Sequence, residues 1–230
     1  MGEPLLYPHF GELVSSTQSI GARLNLTTNG TWHKKGVVSW AEYLLPICSD
    51  IKISMNGACS KVNESIMTGI DHEKQLADLR KLLEIRDAMG LTKSVSVTIQ
   101  VTFMESNISE MPAMVRLAAE LGVDRFKGHH MFITWPELSS QSLLRDKTSR
   151  DRWNATVESM KNEANDHYSR AGRPLRLENV HPIPTTMAGN GPDPSWVCPF
   201  LGREAWVSWD GQFNVCCCPD PIRRGFGDFG

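Results

Sequence analysis

Cys216, Cys217 and Cys218 stand side by side in the run GQFNVCCCPD, and Cys198 precedes them, so four of the six cysteines fall between positions 198 and 218. Thiolates are the soft ligands that iron-sulfur clusters and zinc require. In an extended segment successive side chains point to opposite faces, so Cys216 and Cys218 can share a site while Cys217 looks away. The Cys-x2-Cys pairs typical of structural zinc are absent from this stretch. Buried, inert thiols are the other reading of the same residues. Cys48 and Cys59 stand apart from the group.

A second set of polar residues falls where predicted strands end: Glu3, Thr28-Asn29, Ser54, Asn56, Gln100 and His129-His130. Asn29 precedes Gly30 and suits a turn, and Ser54-x-Asn56 is also ordinary turn chemistry. Gln100 interrupts an apolar strand, so it either faces a ligand or pairs with a polar neighbour. Two adjacent histidines on a strand face opposite sides, and no partner at same-face spacing marks them as metal ligands.

These residues are positioned by short β-rich runs that alternate with helical patterns. The strands expected are RLNLTT (23 to 28), DIKISM (50 to 55), SVSVTIQVTF (94 to 103) and DRFKGHHMFI (124 to 133). Helical patterns lie in PHFGELVSSTQSIG, in WAEYLLPI up to Pro46, from His72 to Met89, in SEMPAMVRLAAELG (109 to 122) with Ser109 at its start, and from Ser149 to Ala171. NGACSKVNES reads as a polar loop. This order is the pattern of βα units on a parallel sheet, whose ligands sit at the carboxyl ends of the strands. Four strands are too few for an eight-stranded barrel. From 181 to 196 four prolines mark a linker, and an aromatic, cysteine-rich tail follows.

The formal net charge of -2 gives no footprint for nucleic acid, and no apolar run is long enough to span a membrane. The opening MGEPLLYPHF lacks the basic and apolar regions of a secretory signal. A cytoplasmic protein without nucleic-acid or membrane partners is expected. Free thiols or metal ligands are then expected rather than disulfides, and the Asn-x-Ser/Thr triplets at Asn25, Asn29, Asn63, Asn107 and Asn154 carry no glycosylation signal.

Taken in order, these features resemble the radical SAM core. MGEPLLYPHFGELV is similar to that family's Gly-Gly-Glu-Pro motif and following helix, with Met1 where its first glycine stands. LNLTTNGT resembles its third strand and KISMNGA its fourth. The tail resembles the SPASM extension: Cys198, twelve residues, Gly211, four residues, Cys216. The resemblance implies a partial (β/α)6 TIM-like barrel over 1 to 180, lacking its first strands. A linker and an incomplete cysteine-rich module follow over 181 to 230. It implies S-adenosyl-L-methionine and a 4Fe-4S cluster as cofactors. Glu3 would accept from the amino group of S-adenosylmethionine, a carboxylate suiting an ammonium, with Pro4 stiffening the turn. Ser54 and Asn56 would face the ribose, Asn29 would adjoin the cofactor, and Cys198 and Cys216, helped by Cys217 or Cys218, would hold an auxiliary cluster.

The activity implied is modification of a peptide or protein through a 5'-deoxyadenosyl radical, fed by a reducing electron donor. The family's Cys-x3-Cys-x2-Cys loop is absent from these 230 residues, as are the later SPASM cysteines. A fragment, inactive alone, is therefore expected, exposing a sheet edge and an apolar interior. A non-catalytic degenerate barrel that binds peptides and a small zinc-binding protein are the alternatives.

Overall fold

A computed structural model of the chain describes residues 2–133, 135–184, 204, 206–207 and 213–214. The chain divides into two compact units, Met1–Thr185 and Thr186–Gly230. In the second, β6 (Trp206–Val207) and β7 (Phe213–Asn214) pair antiparallel. Cys198, Cys216, Cys217 and Cys218 lie outside the described residues.

The first unit runs α1 (Phe10–Ser19), β1 (Leu24–Thr28), α2 (Gly36–Leu44), β2 (Cys48–Ser54), α3 (Ser60–Ile66), α4 (His72–Ala88), β3 (Ser96–Phe103), α5 (Met111–Leu121), β4 (Arg125–His130), α6 (Lys147–Ala171) and β5 (Arg176–Glu178). Its sheet has the order β1-β2-β3-β4-β5, every pair parallel. Sequential order means that each crossover returns on the same side, which is barrel winding and not the two-sided winding of an open dinucleotide-binding sheet.

Alternation along the strands divides the sheet into two unlike faces. Ile51, Ile53, Val97, Ile99, Val101, Phe103 and Phe126 are almost wholly buried in the core. The intervening residues, among them Asp50, Lys52, Ser54, Thr98, Gln100, Arg125 and Lys127, form the opposite face, here termed the inner face. The apolar interior expected for a partial barrel is thus corrected. The sequence D-I-K-I-S places its charges on the inner face and its isoleucines in the core.

The helices have local causes. Asp71 caps α4 by accepting from the Lys74 amide at 2.9 Å, and Asp146 caps α6 by accepting from the Ser149 amide at 2.7 Å. Gly122, at φ +80°, ends α5 in the left-handed conformation that a side chain would strain. Buried Arg86 on α4 bonds Asp87 and Asp124, and Asp124 also accepts from the Val97 amide at 2.8 Å, which ties α4 to the amino ends of β3 and β4.

Three elements differ from the sequence expectation. NGACSKVNES is not all loop, since α3 occupies its second half. The start of α5 has no side-chain cap, and Ser109 lies in a preceding 3-10 turn, Ile108–Glu110. A fifth strand, β5, joins the four expected. Among the described residues no helix is long and apolar enough to cross a membrane.

Candidate functional site

Strand register sorts the inner face into rows that climb toward the carboxyl ends. The lower rows hold Asn25, Asp50 and Ser96, then Thr27, Lys52, Thr98, Arg125 and Arg176. Their centre closes upon itself, while among the described residues the side chains of Ser96 and Thr27 form no hydrogen bond and Arg176 stands 3.9 Å from Glu178. Asp50 accepts from the Thr98 hydroxyl at 2.9 Å, lies 3.0 Å from the Lys52 ammonium and pairs with Arg125. Arg125 also bonds the Thr98 hydroxyl at 3.1 Å and Glu178 at 3.2 Å. Burial works against the Arg125 charge, but the two carboxylates outweigh it and hold its pKa above the ordinary value.

The next row is Ser54, Gln100, Lys127 and Glu178, and above it Thr102 stands beside His129. Among the described residues, the side chains of Ser54, Gln100, Thr102 and His129 form no hydrogen bond, and Lys127 has one charged neighbour, Glu178, at 3.7 Å. Partial burial, then the charges of Lys127 and Lys52, hold His129 below the usual histidine range, so it is neutral at pH 7. His130 points to the helix side, its ring 4.7 Å from that of Trp153 and 5.6 Å from that of Phe103. The two histidines therefore take opposite faces, as the alternation requires.

At the exit of β1, Glu3 is a strut. One carboxylate oxygen accepts from the Thr28 hydroxyl at 2.7 Å and the Leu5 amide at 3.2 Å, and the other from the Asn29 amide at 2.7 Å. The second oxygen keeps a lone pair for an outside donor. Asn29 folds over its own turn, accepting from the amide and hydroxyl of Thr31 at 3.0 and 2.7 Å. Asn56 accepts from the Thr102 amide at 2.9 Å, which fastens the exit of β2 to β3 and leaves its NH2 group available.

Beneath these exits lies a buried amide network that the sequence reading missed. Gln75 donates to the carbonyls of Asn29 and Ser54 at 2.7 and 2.9 Å. Fully buried Asn63 donates to Gln75 at 2.9 Å and to the His72 ring at 3.1 Å, and accepts from the Asn56 amide at 2.8 Å. Asn107, equally buried, donates to the carbonyls of Asn56 and Thr102, both at 3.0 Å. The sequence showed Gln75 beside Leu76 in the helical pattern but not its partners, because Asn63 lies in a stretch that reads as a loop.

The described cysteines do not fit an iron-sulfur cluster. Cys48 opens β2 and Cys59 follows its far end, so at 3.3 Å per residue some 20 Å of strand and more separates them. Burial pushes the Cys48 thiol up to about 12, which keeps it protonated and non-ligating. Among the described residues no group of three His, Cys, Asp or Glu side chains is placed to hold a metal ion.

No protein-family model matches the chain. Over 141 residues, 60% of its length, it is 25% identical to the tungsten-containing aldehyde ferredoxin oxidoreductase cofactor-modifying protein of Pyrococcus furiosus, covering 38% of that protein. Streptococcus suis SuiB bound to S-adenosylmethionine aligns with 99% of this chain and 51% of its own, at a TM-score of 0.65 and 15% identity. SuiB bound to its precursor peptide SuiA aligns with 77% of this chain and 36% of its own, at a TM-score of 0.53 and 17% identity. A domain of pyruvate-formate lyase-activating enzyme from Bacteroides vulgatus aligns with 77% of this chain and 94% of its own, at a TM-score of 0.52 and 12% identity. The chain thus spans about half the length of SuiB and less of the curated relative. With five parallel strands in sequential order and helices returning on one side, the first unit is a partial radical SAM fold.

Proposed function

We propose that this chain supplies the S-adenosylmethionine-binding face of a radical SAM protein of the SPASM kind, whose whole form modifies a peptide or protein. The observation that carries the reading is the row of part-exposed polar side chains at the carboxyl ends of β2, β3 and β4, of which Ser54, Gln100, Thr102 and His129 bond no other group among the described residues, above the ion pairs centred on Asp50. Ligands of (β/α) barrels bind at that end. SuiB, which shares the fold, is seen with S-adenosylmethionine and with a precursor peptide.

In this reading the free lone pair of Glu3 accepts from the ammonium group of S-adenosylmethionine, while the Ser54 hydroxyl and the Asn56 NH2 group face the ribose. Asn29 holds the turn that presents Glu3. The described cysteines, Cys48 and Cys59, do not fit an iron-sulfur cluster. Cluster ligands at Cys198, Cys216, Cys217 and Cys218 are part of the proposal and lie outside the described residues, as does any electron donor.

Calorimetric titration of the full chain with S-adenosylmethionine tests the assignment. Saturable one-to-one binding is expected, weakened roughly tenfold by Ser54→Ala, about the value of one hydrogen bond to a ligand. Glu3→Gln should weaken it at least as much. Absence of binding, or binding that neither substitution alters in chains of unchanged melting temperature, would overturn it.

A further inference from the structure

The cofactor reading leaves the middle of the upper inner face unassigned. Gln100 lies between Ser54 and Lys127 in one row, with Thr102 and His129 in the row above. Every side chain of this group can donate a hydrogen bond. The charge of the described strand residues on the inner face is positive, with Lys52, Arg125, Lys127 and Arg176 against Asp50 and Glu178, and Glu3 stands apart at the exit of β1. Arg125 and Lys52 are drawn down toward Asp50. Lys127, whose one charged partner among the described residues is Glu178 at 3.7 Å, is the cation of the upper row, whereas Arg176, 3.9 Å from the same carboxylate, lies a row lower.

We propose that Gln100, Lys127 and His129, with the Thr102 hydroxyl, form a binding patch for one carboxylate of a peptide substrate, the side chain of a glutamate or aspartate residue. The inference rests on the reading of the inner face as a substrate and cofactor surface. A single ammonium among neutral donors suits a monoanion, whereas a phosphate dianion would call on the arginine fork that Arg125 has already committed to Asp50 and Glu178.

The carboxylate of S-adenosylmethionine is not the occupant. Its ammonium and carboxylate share one carbon atom, and Glu3 fixes the ammonium at the exit of β1. Lys127 is on β4, three strand spacings away, about 14 Å.

The test uses the full chain with saturating S-adenosylmethionine and two acetylated, amidated alanine-serine heptapeptides that differ only in a central Glu or Gln. The Glu peptide is expected to bind roughly tenfold tighter, about 1.4 kcal/mol, as one charge-assisted hydrogen bond allows. Lys127→Gln should erase that preference, Lys127→Arg should keep it, and Gln100→Leu should reduce it without any change of charge. Equal affinity for the two peptides overturns the proposal, as does a preference that survives both Lys127→Gln and Gln100→Leu. Loss of S-adenosylmethionine binding in Lys127→Gln with the peptide preference intact also overturns it. If Lys127→Gln lowers the melting temperature, Gln100→Leu decides alone. A chain that fails to bind S-adenosylmethionine yet still separates Glu from Gln removes the cofactor assignment and leaves the patch. One that binds the cofactor and treats the peptides alike removes only the patch.

Discussion

At the scale of single residues, the chemistry separates by environment more than by residue type. Cys48 and Cys59 are the same side chain, yet one is buried, with its pKa pushed up to about 12, and the other is exposed at the start of α3. Since the thiolate is the nucleophile, brief alkylation with iodoacetamide at pH 8 is expected to label Cys59 and spare Cys48, as read by peptide mass mapping. Cys48 should label only when denaturant is present. Labelling of both at the same rate would show that Cys48 is not enclosed. Asn63 makes the same point through hydrogen bonds. Its removal leaves the Asn56 amide, a Gln75 oxygen and the His72 ring without that partner at a buried position. Asn63→Ala is expected to cost about 2–4 kcal/mol in urea unfolding, above the ordinary range for one hydrogen bond. Ser54 and Gln100 were legible in sequence because a polar residue in an alternating strand declares its face. Asn63 and Gln75 were not, because their partners are set by tertiary packing. Asn63 and Asn107 also head Asn-x-Ser triplets, and their complete burial explains why those triplets carry no surface role.

At the scale of elements, legibility follows whether the cause of an element is local. The strands β2 and β3 and the helix α4 showed themselves through periodicity and caps in their own sequence. α3 did not, since the carboxylate that accepts from the Ala58 and Cys59 amides at its start belongs to Glu110, across the sheet's exit loops. β5 is three residues long, and Glu178, bonded to Arg125, shows why it pairs where it does. Two elements yield expected outcomes. Gly128 on β4 faces the ring of Phe103, and a Cβ there would fall 1.9 Å from a ring atom. Phe103 is fully buried and packs against Trp153 of α6, ring centroids 4.5 Å apart, so it has little room to yield. Gly128→Ala is expected to destabilise by about 1–3 kcal/mol or more, with a matching fall in melting temperature. The other outcome concerns the start of α6. The Ser149 amide, helped by Arg145 at 2.9 Å, holds the Asp146 carboxyl below its ordinary value of 3.8, against the opposing effect of desolvation. A depressed pKa stabilises the fold above the ordinary value, and that contribution disappears as pH falls through the lower folded value. Melting temperature should therefore fall less steeply below about pH 4 in Asp146→Asn than in the parent chain.

At the scale of the whole first unit, the two faces of one sheet solve different problems. The helix side buries aliphatic and aromatic side chains to form the core, while the inner side, which the sequence reading expected to be apolar, carries a charged layer instead. An open barrel with such a face meets water without exposing an oily interior. The layer turns on Asp50, the carboxylate that both Lys52 and Arg125 share, with its side chain only 6% exposed. Removing one partner from a buried ion cluster leaves the others desolvated and unpaired, whereas removing both sides of a pair does not. Asp50→Asn is therefore expected to cost about 3 kcal/mol, while Asp50→Asn combined with Arg125→Met should cost less than the two single losses added together. The non-additivity, of order 1–3 kcal/mol, is read from a double-mutant cycle in urea. Additive losses would mean that the pair is screened by water, that the centre of the lower rows is not closed, and that the donors above them are not singled out for a ligand.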